Sequence, residues 1–131
     1  MEKLKLTGLV LVGGQSRRMG QDKGKLKYSG KEQALVCFDL LKKFCANVFL
    51  STREEQRDDP LYKNHPQIHD HTSYQNIGPL GGILSAFATN PQTPWLVLGC
   101  DLPFVDEQTL QFLIDHRDSS QIATAYRSSY D

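Results

Sequence analysis

The stretch Leu6-Thr7-Gly8-Leu9-Val10-Leu11-Val12-Gly13-Gly14 decides the fold. Its apolar residues run on without the polar alternation of a half-exposed strand. Residues 6–12 therefore read as a strand covered on both faces, and the glycine pair ends it. Outward from this strand the elements alternate. A helix is expected over 32–45, where Ala34, Phe38, Leu41 and Cys45 recur at helical spacing and Asp39, Lys42 and Lys43 fall on other faces. Asn47–Thr52 reads as a second strand, and the charged stretch 53–66, broken by Pro60 and Pro66, as a loop with at most a short helix. Ile68 and His69 suggest a third short strand. Gly78-Pro79 breaks the chain before a helix over 80–89, and Pro94 precedes the apolar strand Trp95–Gly99. Asp106 is a good N-cap for a helix through His116, with Leu110, Leu113 and Ile114 turned inward, and 121–126 reads as a last strand. Strands alternating with helices predict right-handed βαβ units and an α/β architecture, a mostly parallel sheet covered on both sides. In such sheets ligands bind beyond the carboxyl ends of the strands.

The composition excludes several classes. At 131 residues a single domain is expected, large enough to bury roughly two-thirds of its unfolded surface without disulfide or metal staples. Fifteen Lys and Arg balance fifteen Asp and Glu, which argues against a generally basic nucleic-acid binder. No apolar run is long enough to span a bilayer, and the N-terminus does not read as a secretion signal, so a cytoplasmic protein without membrane contact is expected. The three cysteines, Cys37, Cys45 and Cys100, have no CxxC spacing. Cys37 and Cys45 read as small core residues on one helix face, and no activating base can be assigned to Cys100.

The strand ends carry the chemistry. After Gly13 and Gly14 come Gln15-Ser16-Arg17-Arg18-Met19-Gly20-Gln21-Asp22-Lys23. Glycines bring backbone N–H groups close to a ligand, Ser16 adds a hydroxyl, and Arg17, Arg18 and Lys23 add positive charge. Over 17–31 six Lys and Arg face the single acid Asp22, a local surplus of five in a neutral chain. Such a loop suits a polyphosphate, although a solvated basic turn gives the same pattern. Neither the Walker pattern nor G-x-G-x-x-G is present. Asp101, just past Trp95–Gly99, is placed either to share Mg²⁺ with phosphate oxygens or to cap a turn. Asp70 lies between His69 and His71; a His-x-His pair suits zinc or two surface imidazoles, and no third ligand at matching spacing is evident. Gly78-Pro79-Leu80-Gly81-Gly82 permits close approach of a substrate or tight helix–sheet packing.

Leu11-Val12-Gly13-Gly14-x-Ser16-x-Arg18-Met19-Gly20-x-Asp22-Lys23 resembles the signature of the molybdenum cofactor guanylyltransferases, within the nucleotidyltransferase superfamily. Asp70, Gly78-Pro79-Leu80-x-Gly82 and Cys100-Asp101-x-Pro103 follow in family order, so the likeness covers nearly the whole chain. The resemblance implies a three-layer α/β/α, Rossmann-like nucleotidyltransferase fold. It also implies Mg²⁺-dependent transfer of GMP from GTP to the terminal phosphate of molybdopterin, with release of pyrophosphate. By carry-over, Leu11, Val12, Gly13 and Gly14 line the guanine and ribose pocket, with Ser16 in the same loop. Arg18 and Lys23 hold the phosphates, Asp70 contacts the nucleotide, and Asp101 binds Mg²⁺. The Gly13-Gly14 pair favours GTP over CTP, since CTP-using relatives tend to carry alanine at the position of Gly13.

Three positions depart from the family pattern. Val12 replaces the usual alanine, Lys25 stands where an apolar residue is common, and Leu50 stands where some members have a nucleotide-contacting asparagine, with Ser51 or Thr52 as substitutes. Family members also continue beyond the position of Asp131, in a part that helps hold molybdopterin. The expectation is therefore one nucleotide-binding domain over 1–131 without the acceptor-binding part. Alternatives are a nucleotidyltransferase for another phosphorylated acceptor and a nucleotide-binding module without catalysis.

Overall fold

Thr7–Leu11 forms strand β1 within the expected 6–12 run, with Thr7, Gly8, Leu9 and Val10 buried and Leu11 half-buried. The computed structural model describes residues 6–12, 15–16, 21–22, 32–53, 57–69, 79–99 and 106–116. Along these residues β1 is followed by β2 (Gln15–Ser16), β3 (Gln21–Asp22), α1 (Gln33–Lys42), β4 (Asn47–Thr52), β5 (Gln67–His69), α2 (Pro79–Thr89), β6 (Trp95–Gly99) and α3 (Glu107–Asp115). The expected strand over 121–126 lies outside the described residues.

The sheet has the order β5-β4-β1-β6, and every pairing in it is parallel. β2 and β3 pair antiparallel in a separate ladder, Gln15 with Asp22 and Ser16 with Gln21. Alternate residues of each strand project to opposite faces. Val10, Val48, Leu50, Leu96 and Leu98 meet α1 through Ala34, Cys37, Phe38 and Leu41, and meet α3 through Leu110 and Ile114. Leu9 and Ile68 meet Ala86 of α2 on the other face, with half-buried Leu11, Phe49, Trp95 and Val97 around them. This is the three-layer α/β/α arrangement. Each fully buried aliphatic side chain contributes about 1.5–3 kcal/mol, which makes the α1 face the main source of hydrophobic stabilisation.

Local chemistry explains the element ends. α1 stops at Lys42, short of the expected Cys45, because the Lys43 and Phe44 amides turn to the carbonyls of Leu40 and Leu41, three residues back, at 3.2 and 3.0 Å. Cys45 is nevertheless fully buried, so the apolar period outlasts the helix. Gly8 lets α1 approach β1: a Cβ there would stand 3.2 Å from Cys45 Sγ, Leu41 Cδ1 and Val48 Cγ2. α2 begins at Pro79, one residue earlier than expected, as suits a residue with no amide hydrogen to leave unbonded in a first turn. Asp106 is the expected N-cap of α3, its Oδ1 accepting from the Thr109 amide at 2.9 Å and the Thr109 hydroxyl at 3.0 Å. A Lys43–Glu107 ion pair joins the end of α1 to the start of α3. Residues 57–66 make turns rather than a helix, and Tyr62 from this stretch is buried in the α1-face cluster. Among the described residues no helix is long and apolar enough to cross a membrane.

Candidate functional site

The four strands end together along one edge. Leu11 of β1 pairs with Ser51 of β4 on one side and with Gly99 of β6 on the other, and Thr52 of β4 pairs with His69 of β5. From β1 the chain moves outward to β4 and β5, then returns across β1 to β6. The order therefore reverses between β1 and β6, and in open parallel sheets this is the point where ligands bind.

Past β1, the Val12 amide donates to the Ser51 carbonyl at 3.0 Å, which carries the sheet bonding one residue beyond the strand. The Val12 side chain is buried in the α1-face core, so its departure from alanine is a packing change. Leu50 is fully buried in the same core. Its side chain stands inside the protein rather than at the edge, and the residues that β4 offers there are Ser51 and Thr52.

On the opposite face α2 closes against this edge through glycine. A Cβ at Gly82 would lie 2.3 Å from Ser51 Oγ and 3.2 Å from Leu11 Cδ2. Close helix–sheet packing is thus one use of the Gly81-Gly82 pair. Inside α2, the Ser85 hydroxyl donates to the Gly81 carbonyl at 2.7 Å and the Thr89 hydroxyl to the Ser85 carbonyl at 2.9 Å.

At the β4–β5 end the polar groups are joined. Thr52 Oγ1 donates to Gln67 Oε1 at 2.8 Å and lies 3.1 Å from His69 Nδ1. Gln67 Nε2 donates to the carbonyls of Tyr62 at 2.9 Å and Arg57 at 3.2 Å. His69 is therefore built into the sheet edge. Among the described residues no group of three or more His, Cys, Asp and Glu is gathered to hold a metal ion.

Of the sequence-derived site residues, the structure brings Leu11 and Val12 to the edge and sets Ser16 in β2. Gly13, Gly14, Arg18, Lys23, Asp70 and Asp101, together with His71 and Cys100, lie outside the described residues. The β2–β3 ladder pairs Gln15 with Asp22 and Ser16 with Gln21. That ladder and the Gln67–Thr52–His69 set were missed in the sequence. The first is two residues per strand in a polar stretch, and the second depends on cross-strand register.

A parallel sheet with helices on both faces and an order reversal between β1 and β6 defines a doubly wound α/β domain. The chain belongs to the MobA-like NTP transferase domain family, whose model matches residues 8–130. It is 38% identical over 124 residues, 95% of its length, to a molybdenum cofactor biosynthesis bifunctional protein of Synechocystis sp., of which it covers 35%. A molybdenum cofactor guanylyltransferase of Ectopseudomonas mendocina is 31% identical over 109 residues, and the chain covers 53% of it. The chain thus spans about a third to a half of these relatives. Among solved structures, molybdopterin-guanine dinucleotide biosynthesis protein A from Archaeoglobus fulgidus aligns with a TM-score of 0.64 and 25% identity, over 82% of this chain and 53% of that one. A protein of Aquifex aeolicus aligns with a TM-score of 0.66 and 23% identity, over 86% of this chain and 59% of that one, which supports the fold.

Proposed function

We propose that this chain is the nucleotide-binding part of a cytoplasmic molybdenum cofactor guanylyltransferase, which transfers GMP from GTP to the terminal phosphate of molybdopterin. The observation that carries the reading is the register pair Leu11–Gly99 at the point of order reversal. Gly13 follows Leu11 by two residues and Asp101 follows Gly99 by two, each a reach of no more than about 7 Å from neighbouring strand ends. A glycine-rich, basic loop and a carboxylate thus start from adjacent points. The relatives named above, one of them a guanylyltransferase, support the same reading.

In the reaction an oxygen of the acceptor phosphate attacks the α-phosphorus of GTP. A new P–O bond forms, the bond to the α–β bridging oxygen breaks, and pyrophosphate leaves. The acceptor phosphate is already an anion, so no serine or cysteine nucleophile and no strong base is required. The chain's work is to position the groups in line and to offset negative charge. Arg18 and Lys23 hold the phosphates, Gly13 and Gly14 present amides, and Asp70 contacts the nucleotide. Asp101 offers the hard oxygen donor that Mg²⁺ takes in company with phosphate oxygens, which fits the proposed cation. When bound, Mg²⁺ neutralises charge on the α- and β-phosphates.

Asp101→Ala tests the metal assignment and should abolish Mg²⁺-dependent pyrophosphate release with molybdopterin as acceptor, while the thermal midpoint holds. Unaltered turnover would remove Asp101 from the site. Lys23→Ala should weaken GTP binding about tenfold, as loss of a charge-assisted phosphate contact does. Unchanged affinity would count against the phosphate loop. The competing reading is nucleotide binding without transfer. GTP and Mg²⁺ binding with no pyrophosphate released from any acceptor would establish it.

A further inference from the structure

His69 ends β5, two strands from β1, or about 10 Å along the carboxyl edge. Its ring state follows from the bonds around it. Gln67 points one end of its amide at two carbonyl oxygens, those of Tyr62 and Arg57. A carbonyl only accepts, so the end facing them is the NH₂ group, and the amide oxygen faces Thr52. The Thr52 hydroxyl has one hydrogen, and the Gln67 oxygen, 2.8 Å away, takes it. Towards His69 Nδ1, 3.1 Å away, the hydroxyl oxygen is then an acceptor, so Nδ1 carries hydrogen in either charge state of the ring. In the neutral ring Nε2 is consequently left with a lone pair. Thr52 is buried and His69 half-buried, so the chain of bonds is sheltered while the ring sits at the protein's edge.

From this Gln67–Thr52–His69 juxtaposition we propose that His69 is a nucleoside-binding residue, fixed as the Nδ1–H tautomer so that Nε2 accepts a hydrogen bond from a ribose hydroxyl or from the guanine 2-amino group. The proposal rests on the nucleotide-site reading and assigns that site a contact of defined polarity. A ring with the opposite tautomer would present a donor, and would favour a phosphate or a base carbonyl instead. Thr52 and Gln67 are positioning residues that act through the ring.

Long-range ¹H–¹⁵N correlation of the wild-type protein without ligand should show neutral His69 protonated at Nδ1, and titration with GTP should shift the Nε2 resonance. Thr52→Val should let the ring shift toward the Nε2–H form, and Thr52→Ser should restore the wild-type state. His69→Leu should weaken GTP binding about tenfold. His69→Gln, whose amide oxygen reaches the position of Nε2, should recover binding to within about threefold of wild type. The penalty of His69→Leu should vanish for 2′,3′-dideoxy-GTP if a ribose hydroxyl is the donor, and for inosine triphosphate if the amino group is. An Nε2–H ring in the free protein overturns the proposal even if the variants fold poorly. So does a penalty equal for GTP, dideoxy-GTP and inosine triphosphate, or no penalty at all. Absence of any nucleotide binding by the wild type overturns the site reading and this contact with it, leaving the tautomer result as a separate fact.

Discussion

The two faces of the sheet are built to different ends from the same strands. Towards α1 and α3, large aliphatic and aromatic side chains interlock: Leu41, Leu50, Val10, Phe38, Tyr62 and Leu110 are all buried there. Towards α2 the buried set is Leu9, Ile68 and Ala86, and at the carboxyl edge the helix comes so close that Gly82 leaves no room for a Cβ beside Ser51. The first face holds the domain together. The second trades bulk for proximity, and it brings α2 close to the strand ends where the proposed nucleotide site begins.

Leu41→Ala should break the first face most severely, by about 3 kcal/mol, through lost burial and a cavity that its packed neighbours cannot close. Urea unfolding measures the loss, and a loss under about 1 kcal/mol would mean the α1 face is not the main core. Gly82→Val should cost about 1–3 kcal/mol by overpacking the second face. Ser51→Gly in the same chain should relieve part of that cost, and strict additivity in the double-mutant cycle would separate the two positions. Ile68→Val should cost about 1 kcal/mol, well below Leu41→Ala. A larger loss than at Leu41 would reverse the ranking of the faces.

The smallest effect belongs to the α3 cap, away from both. The bond from the Thr109 amide, and then that from its hydroxyl, hold the Asp106 carboxyl below its ordinary value of 3.8. A carboxyl depressed in the folded state stabilises above its unfolded value, and that contribution fades as pH falls through the folded value. The urea midpoints of wild type and Asp106→Asn should therefore differ near neutral pH and converge in acid below about pH 4. A constant difference across that range would contradict the cap's charge dependence.

What was legible in the sequence follows the same division. Asn47–Thr52 and Trp95–Gly99 coincide with their expected bounds, because each is a short run of strand-forming residues set off from its neighbours by charged, proline or polar residues. The Asp106 cap is local chemistry and equally readable. The end of α1 was overshot because burial continues through Cys45 after the helical bonds tighten. Leu50, read from the sequence as a departure from a nucleotide-contacting asparagine, is a core residue, and which face a strand residue takes is settled by register, not by its place in a motif. The His69–Thr52 contact could not be read at all, since seventeen residues separate its members in the chain and only β4–β5 pairing unites them.

Calorimetric titration of the chain with GTP, CTP, ATP and UTP, each with Mg²⁺, tests the central claim most directly. The account predicts saturable, Mg²⁺-dependent binding with GTP the tightest of the four. No binding by any of them would contradict the nucleotide site at the β1–β6 edge, and tighter binding of CTP would contradict the guanine assignment drawn from Gly13 and Gly14.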